Sequence, residues 1–195
     1  MFSGCCLAKL PLDQTPVSQG IIVLDPQVLG NATSDSAVDV VVETEVAVMR
    51  SETVLREAII YRSLNEHLGV DEDGAYDILR DGLSTSRVDD SLAIRVVMAH
   101  EDPETAAIAC NSVLGAYLNQ RMDTKLAAAN QAIYWLEEQL DRTKTDLDAL
   151  PADDPKRQQM QKIYDKLHER FVEAKLESSL MANDVRVLEQ CKLPR

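Results

Sequence analysis

Aromatic side chains are scarce in this chain of 195 residues: two Phe, one Trp and five Tyr, 4% of the total. So few rings give little support to a paved sugar or nucleobase groove, and Tyr134 with Trp135 read as packing residues on a helix. Glycine is equally sparse, seven residues scattered singly. Neither Gly-x-x-x-x-Gly-Lys nor Gly-x-Gly-x-x-Gly occurs, which removes the usual backbone cradles for phosphate. Basic residues number 20 against 33 acidic ones, and a net charge of −13 repels a phosphate backbone, so no nucleic-acid partner is expected. No stretch reaches the roughly 20 apolar residues that span a bilayer. The longest, residues 106–118, carries Asn111 and Ser112. The first ten residues lack the basic start and apolar core of a secretion signal, and no apolar segment precedes Cys5, which argues against a lipid anchor there.

Metal and acid–base chemistry also lack their usual patterns. The four cysteines, an adjacent pair at Cys5 and Cys6 and singles at Cys110 and Cys191, match no zinc spacing and leave the redox compartment open. Cys110, among Ala106, Ala107, Ala109 and Val113, reads as a small core residue. His67, His100 and His168 lie in separate elements and read as surface or capping residues; His168-Glu169 lacks the second histidine of a zinc-protease helix. Asp71-Glu72-Asp73-Gly74 fails as a calcium loop, because its first and twelfth positions would be Gly69 and Arg80, and reads as a solvated acidic turn. Glu137, Glu138, Asp141, Asp146, Asp148, Asp153 and Asp154 outnumber Arg142 and Lys144 and read as a solvated acidic face. No catalytic, cofactor-binding or metal-ligating set is expected, and the chain is read as not an enzyme.

What the chain does have is helical periodicity. Met122, Leu126, Ala129, Ile133, Leu136, Leu140, Thr143, Leu147 and Leu150 keep heptad spacing, with Thr143 the one polar exception. The run extends upstream without a breaker to Asp102-Pro103-Glu104, where Asp102 can cap and proline suits the first turn. Roughly 49 residues make a rod of about 70 Å, too long for a compact domain with a radius of gyration of roughly 16 Å. A projecting helix is expected. Pro151 and Pro155 stop it, and a second helix over residues 156–182 carries Met160, Ile163, Leu167, Phe171, Ala174 and Leu180 on or near one face. The expected seam joins Met122, Leu126, Ile133, Leu136, Leu140 and Leu147 to Met160, Ile163, Leu167 and Phe171, within the hairpin or between copies.

Around that hairpin the spacing predicts strands at residues 20–24, 91–99 and 185–188, and helices from 37 to 49, 51 to 68 and 73 to 83. Residues 1–19 read as irregular. The expected fold is α+β: a small mixed sheet with helices forms a base over residues 20–121 and 183–194, and the hairpin occupies residues 122–182.

Several stretches, in order, resemble the periplasmic domain of bacterial polysaccharide co-polymerases, the Wzz-type chain-length determinants and their exopolysaccharide-transport relatives. They are Gly20-Ile21-Ile22-Val23-Leu24-Asp25-Pro26, then Asp35-Ser36-Ala37-Val38 leading to residues 43–55, then Leu92-Ala93-Ile94-Arg95-Val96 with residues 101–107. Tyr117-Leu118-Asn119-Gln120-Arg121, Trp135-Leu136-Glu137-Glu138-Gln139-Leu140 and Asn183-Asp184-Val185-Arg186-Val187-Leu188 follow, so the likeness covers residues 19–194. The resemblance implies a base near the inner membrane, a helical stalk in the periplasm and a ring of several protomers. It also implies a role in setting the length or export of a surface polysaccharide beside a polymerase or export machinery, with no catalysis here. It further implies membrane helices on both sides, which this sequence does not contain. The tyrosine kinase module of some relatives is absent, and the helical excursion is short for the group. A second reading, a soluble coiled-coil adaptor that binds protein helices, follows from the heptads alone.

Overall fold

A computed structural model describes residues 15–30, 34–180 and 184–193. Residues 1–14 of the segment expected to be irregular, with Cys5 and Cys6, lie outside the described residues, as do residues 31–33, 181–183 and 194–195; residues 17–19, also expected to be irregular, instead begin the first strand because they pair with residues 97–99. The fold is α+β, and the chain divides after Gln120 and again before Asp184 into two compact units.

The first unit is built on β1 (Val17–Leu24), β2 (Leu83–Arg87), β3 (Ala93–Ala99) and β4 (Val185–Glu189), in the order β2-β3-β1-β4. Four strands stand where three were expected, and the sheet is antiparallel throughout rather than mixed. The added strand is β2. Leu83-Ser84-Thr85-Ser86-Arg87 offers one large apolar residue, and Leu83 fits the helical stripe before it, so local pattern hides a strand that exists by pairing Leu83 with Met98 and Thr85 with Val96. The switch from helix to strand at Gly82 needs glycine, since a Cβ there would stand 2.6 Å from the Ala99 carbonyl oxygen. Arg87 then holds the turn into β3, donating to the carbonyls of Asp90 and Ser91 and pairing with Asp39.

Burial alternates along the strands as the pleat requires. Ser18, Gly20, Ile22 and Leu24 of β1, with Ile94, Val96 and Met98 of β3, are buried on one face. Helices α1 (Asp35–Met49), α2 (Glu52–Tyr61), α3 (Leu64–Leu68) and α4 (Glu72–Gly82) supply half of the remaining buried core. The valine-rich α1 is helical because Ser34 caps it and Val42 and Met49 are sealed from water, which outweighs the weak propensity of β-branched residues. The helix expected over 51–68 is broken at Ser63, whose left-handed backbone (φ 49°) lets Leu64 turn fully into the core. The acidic string at 71–74 is a helix start: the Asp71 carboxylate accepts from the Gly74 N–H at 2.9 Å, with Glu72 and Asp73 in the first turn.

Helix α5 (Pro103–Ala149) is 47 residues long. The Thr105 hydroxyl, and after it the Thr105 backbone N–H, donate to Asp102 and hold its carboxyl below the ordinary range. This cap therefore stabilises the helix start above the unfolded carboxylate range and is lost as pH falls through the lowered native value. Within the first unit α5 is buried nearly all round: Ala106, Ala109, Cys110, Val113, Ala116 and Tyr117 have no exposure. It passes close over β1, where a Cβ on Gly20 would meet Leu114 Cδ1 at 3.0 Å and Cys191 Sγ at 2.7 Å.

Cys110, read from sequence as a plain core residue, is bonded to Cys191, 81 residues away. Asn111 beside it reads the same segment twice: its amide nitrogen donates to the Cys191 carbonyl at 2.9 Å and its oxygen accepts from the Cys191 N–H at 3.1 Å. The segment after β4 thus gains the backbone partners that a further strand would have supplied. Replacing both Cys110 and Cys191 by Ser is expected to cost about 2–5 kcal/mol of unfolding free energy, measured by chemical denaturation under non-reducing conditions; a loss below about 1 kcal/mol would contradict the role assigned to this cross-link.

Candidate functional site

The second unit contains residues 121–149 of α5 and helix α6 (Pro155–Ser179). The turn between them is fixed from both sides. Asp154 caps α6, accepting from the Lys156 N–H at 2.8 Å, and Pro155 takes the first helical position, where no N–H is needed. Arg157 reaches back to donate to the Leu147 and Leu150 carbonyls at 2.9 and 2.8 Å, which places a positive charge at the negative end of α5.

Burial along this part of α5 and at Leu150 just after it falls on Met122, Leu126, Ala129, Ile133, Leu136, Leu140, Thr143, Leu147 and Leu150, in alternating steps of four and three, with Arg121, Lys125 and Gln139 half-buried beside this stripe. Leu140 and Leu147 are buried and the rest half-buried. On α6 the sheltered positions are Arg157, Met160, Tyr164, Leu167, Phe171, Ala174 and Ser178, in steps of three and four. Ile163, placed in the seam from sequence, faces solvent at 44% exposure, and Tyr164 takes its place. The reason is geometric: Tyr164 lies four residues after Met160 and three before Leu167, whereas Ile163 is turned about 100° away. Periodicity outranks hydropathy at that position, and a tyrosine spanning apolar and polar surroundings suits a half-buried stripe.

Beside the seam runs a shallow groove between the two helices. Lys125, Ala128, Ala129, Ala132, Ala174, Glu177 and Ser178 line one part, about 340 Å³ in volume. Trp135, Leu136, Arg170 and Glu173, again with Ala132, Ala174 and Glu177, line an adjoining part of about 330 Å³. The groove exists because small side chains occupy positions where larger ones would fill the space between helices.

The remaining candidates stay apart. His67 is in α3, His168 stacks on Tyr164 in α6, and His100 Nδ1 accepts from the Asp102 N–H at 3.1 Å. Among the described residues no three His, Cys, Asp or Glu side chains gather in a way that would hold a metal ion. The tip carboxylates are largely solvated; Glu138 pairs with Arg142 and Asp154 serves as the cap of α6. In the first unit Asp35, Asp39 and Asp90 border a polar pocket with Arg87, whose guanidinium pairs with Asp39.

The two ends of the described chain meet in the first unit. The Ser18 hydroxyl at the start of β1 donates to the Lys192 carbonyl at 2.7 Å, and the His100 N–H donates to the Pro16 carbonyl at 3.2 Å. Sequence reasoning places the first and last strands in one base sheet, and it misses the disulfide that ties the last segment down. The only local signal was the pair of single cysteines, whose partners depend on strand order. No protein-family profile matches this chain, and no curated protein matches it in sequence.

Substituting Leu140 by Asp is expected to destabilise the protein by about 3–5 kcal/mol, because it places a carboxylate in an enclosed apolar stripe. Tyr164→Asp should cost more than about 1 kcal/mol and Ile163→Asp less than about 0.5 kcal/mol. Thermal and urea melts of the three variants read this order; equal effects at 163 and 164 would disprove the seam as described.

Proposed function

We propose that this chain is a non-catalytic periplasmic domain of an inner-membrane polysaccharide co-polymerase, acting as a scaffold that regulates the chain length or export of a surface polysaccharide. The observation that carries the reading is the convergence of the chain ends, with Ser18 bonded to Lys192 and Cys191 tied to Cys110. A domain held by one membrane segment before it and another after it must return its chain to the side from which it left, and this sheet does so. The buried disulfide supports an oxidising compartment, since such bonds persist in the periplasm and are rare in the cytosol. The ordered likeness over residues 19–194 supports the family, and the two-helix hairpin supports action through interfaces with copies of itself and with a polymerase or export machinery.

Scaffold action makes a specific demand on genetics. Deleting the gene in its host is expected to shift or abolish the length distribution of a surface polysaccharide on a gel. The full-length protein with its flanking membrane segments restores it, and the chain of 195 residues alone does not. His100→Ala and Asp148→Asn in the full-length protein should restore it as well as the wild type. An unchanged polysaccharide profile after deletion, or loss of restoration by those two substitutions, would overturn this reading.

A further inference from the structure

Trp135, the only tryptophan of the chain, is not the packing residue expected from its place on a helix. It borders the groove between α5 and α6 with 56% of its surface open to water. Ala132 and Ala174 belong to both parts of that groove, while Arg170, Glu173 and Glu177 stand along its α6 side. The charges there are sorted by position. Lys162, Lys166 and Arg170 follow one another at intervals of four residues, a row on α6 with steps of about 6 Å that runs from the turn at 150–154 to the groove. All three are exposed, and among the described residues none of them is in an ion pair. Like charges at this spacing repel one another and weaken a helix, and a bound anion relieves them. Glu173 and Glu177 lie beyond Arg170 in the other direction, so the groove is cationic toward the turn and anionic away from it.

An unpaired cationic row beside an open indole has the opposite sign to the chain as a whole, whose net charge is −13. We propose that this groove binds a strand of an acidic polysaccharide, one sugar ring stacked on Trp135 with its carboxylate held by Arg170, and the next acidic group of the strand held by Lys166. A pyranose presents C–H bonds on its face and hydroxyls at its rim, which matches a half-open indole with polar side chains around it. A guanidinium pairs with a carboxylate through two parallel N–H donors, and an ammonium one turn further on serves as a point charge. Glu173 and Glu177 accept hydrogen bonds from sugar hydroxyls and repel carboxylates, which fixes the direction in which the acidic groups lie. A polyanion without rings would gain the cations and leave the indole face in water. The inference gives the chemical class of the polysaccharide in the scaffold reading above and rests on that reading for its biological setting.

The test uses the whole chain, in which tryptophan emission reports on position 135 alone. Hexamers of mannuronic acid and of galacturonic acid are titrated at low salt, with maltohexaose as a neutral probe and polyglutamate as an acidic probe without sugar rings. At least one uronate hexamer is expected to shift the emission saturably and to bind more weakly as salt is added, whereas the two other probes leave the emission unchanged. Calorimetry then compares variants at exposed positions, whose melts should match the wild type. Arg170→Glu and Trp135→Leu should each weaken uronate binding about tenfold or more. Lys175→Glu makes the same kind of charge reversal on a side chain turned about 140° away from Arg170 and should leave binding as it is. The proposal is overturned if neither uronate hexamer binds, if maltohexaose or polyglutamate binds as tightly, or if Arg170→Glu weakens binding no more than Lys175→Glu does. Binding is read on the purified chain and the length distribution in the host, so failure of one is distinguishable from failure of the other.

Discussion

One unbroken helix has to satisfy two different solvents, and the organisation of the chain follows from that constraint. Over residues 103–120, α5 is wrapped by the core of the first unit and carries Ala, Cys, Val and Tyr on almost every side. From residue 121 onward the same helix shelters only one stripe, while its other positions turn to charge and Ala. Small residues in the first stretch permit close approach to the sheet, as the spacing around Gly20 and Leu114 shows. Heptad spacing in the second permits packing against a single partner helix. No proline or glycine interrupts the passage from one regime to the other; Gly115 lies inside the buried portion, against Tyr61.

The first unit is closed by contacts that are distant in sequence. Tyr117 on α5 donates to Glu45 on α1 at 2.7 Å across 72 residues, which gives a largely buried carboxylate a partner. Cys110 and Asn111 hold Cys191 covalently and through both of its backbone groups. Ser18 secures Lys192. Together these ties turn the last short strand, mostly exposed and only five residues long, into a firm end of the sheet. A strand so short at an edge has little apolar burial of its own, and Val185 is its only fully sheltered residue. Cross-links compensate where burial is thin.

The second unit relies on a different economy of contacts. Most of its seam is half-buried, so its cohesion comes from a narrow stripe, from the capped and arginine-stapled turn, and from surface pairs such as Arg142 with Glu138 that each contribute little. This leaves apolar side chains such as Tyr134, Val172 and Leu176 exposed to water.

Signals that act over a few residues were legible from the sequence alone. The start of α5 after Asp102, the stop at Pro151 to Pro155, the strand at 93–99 within the expected 91–99 and the stripe from Met122 to Leu150 all follow from periodicity, proline chemistry and capping, which operate within one or two helical turns. What the tertiary structure decided lies beyond that range. The strand β2 exists because β3 offers it a partner, Tyr164 displaces Ile163 because the facing helix sets the phase of the seam, and Cys110 finds Cys191 because β4 returns beside β1 under α5. A polar strand, a one-residue helical phase and a pairing over 81 residues carry almost no local free energy of their own. Each is settled by the partner that long-range packing brings to it.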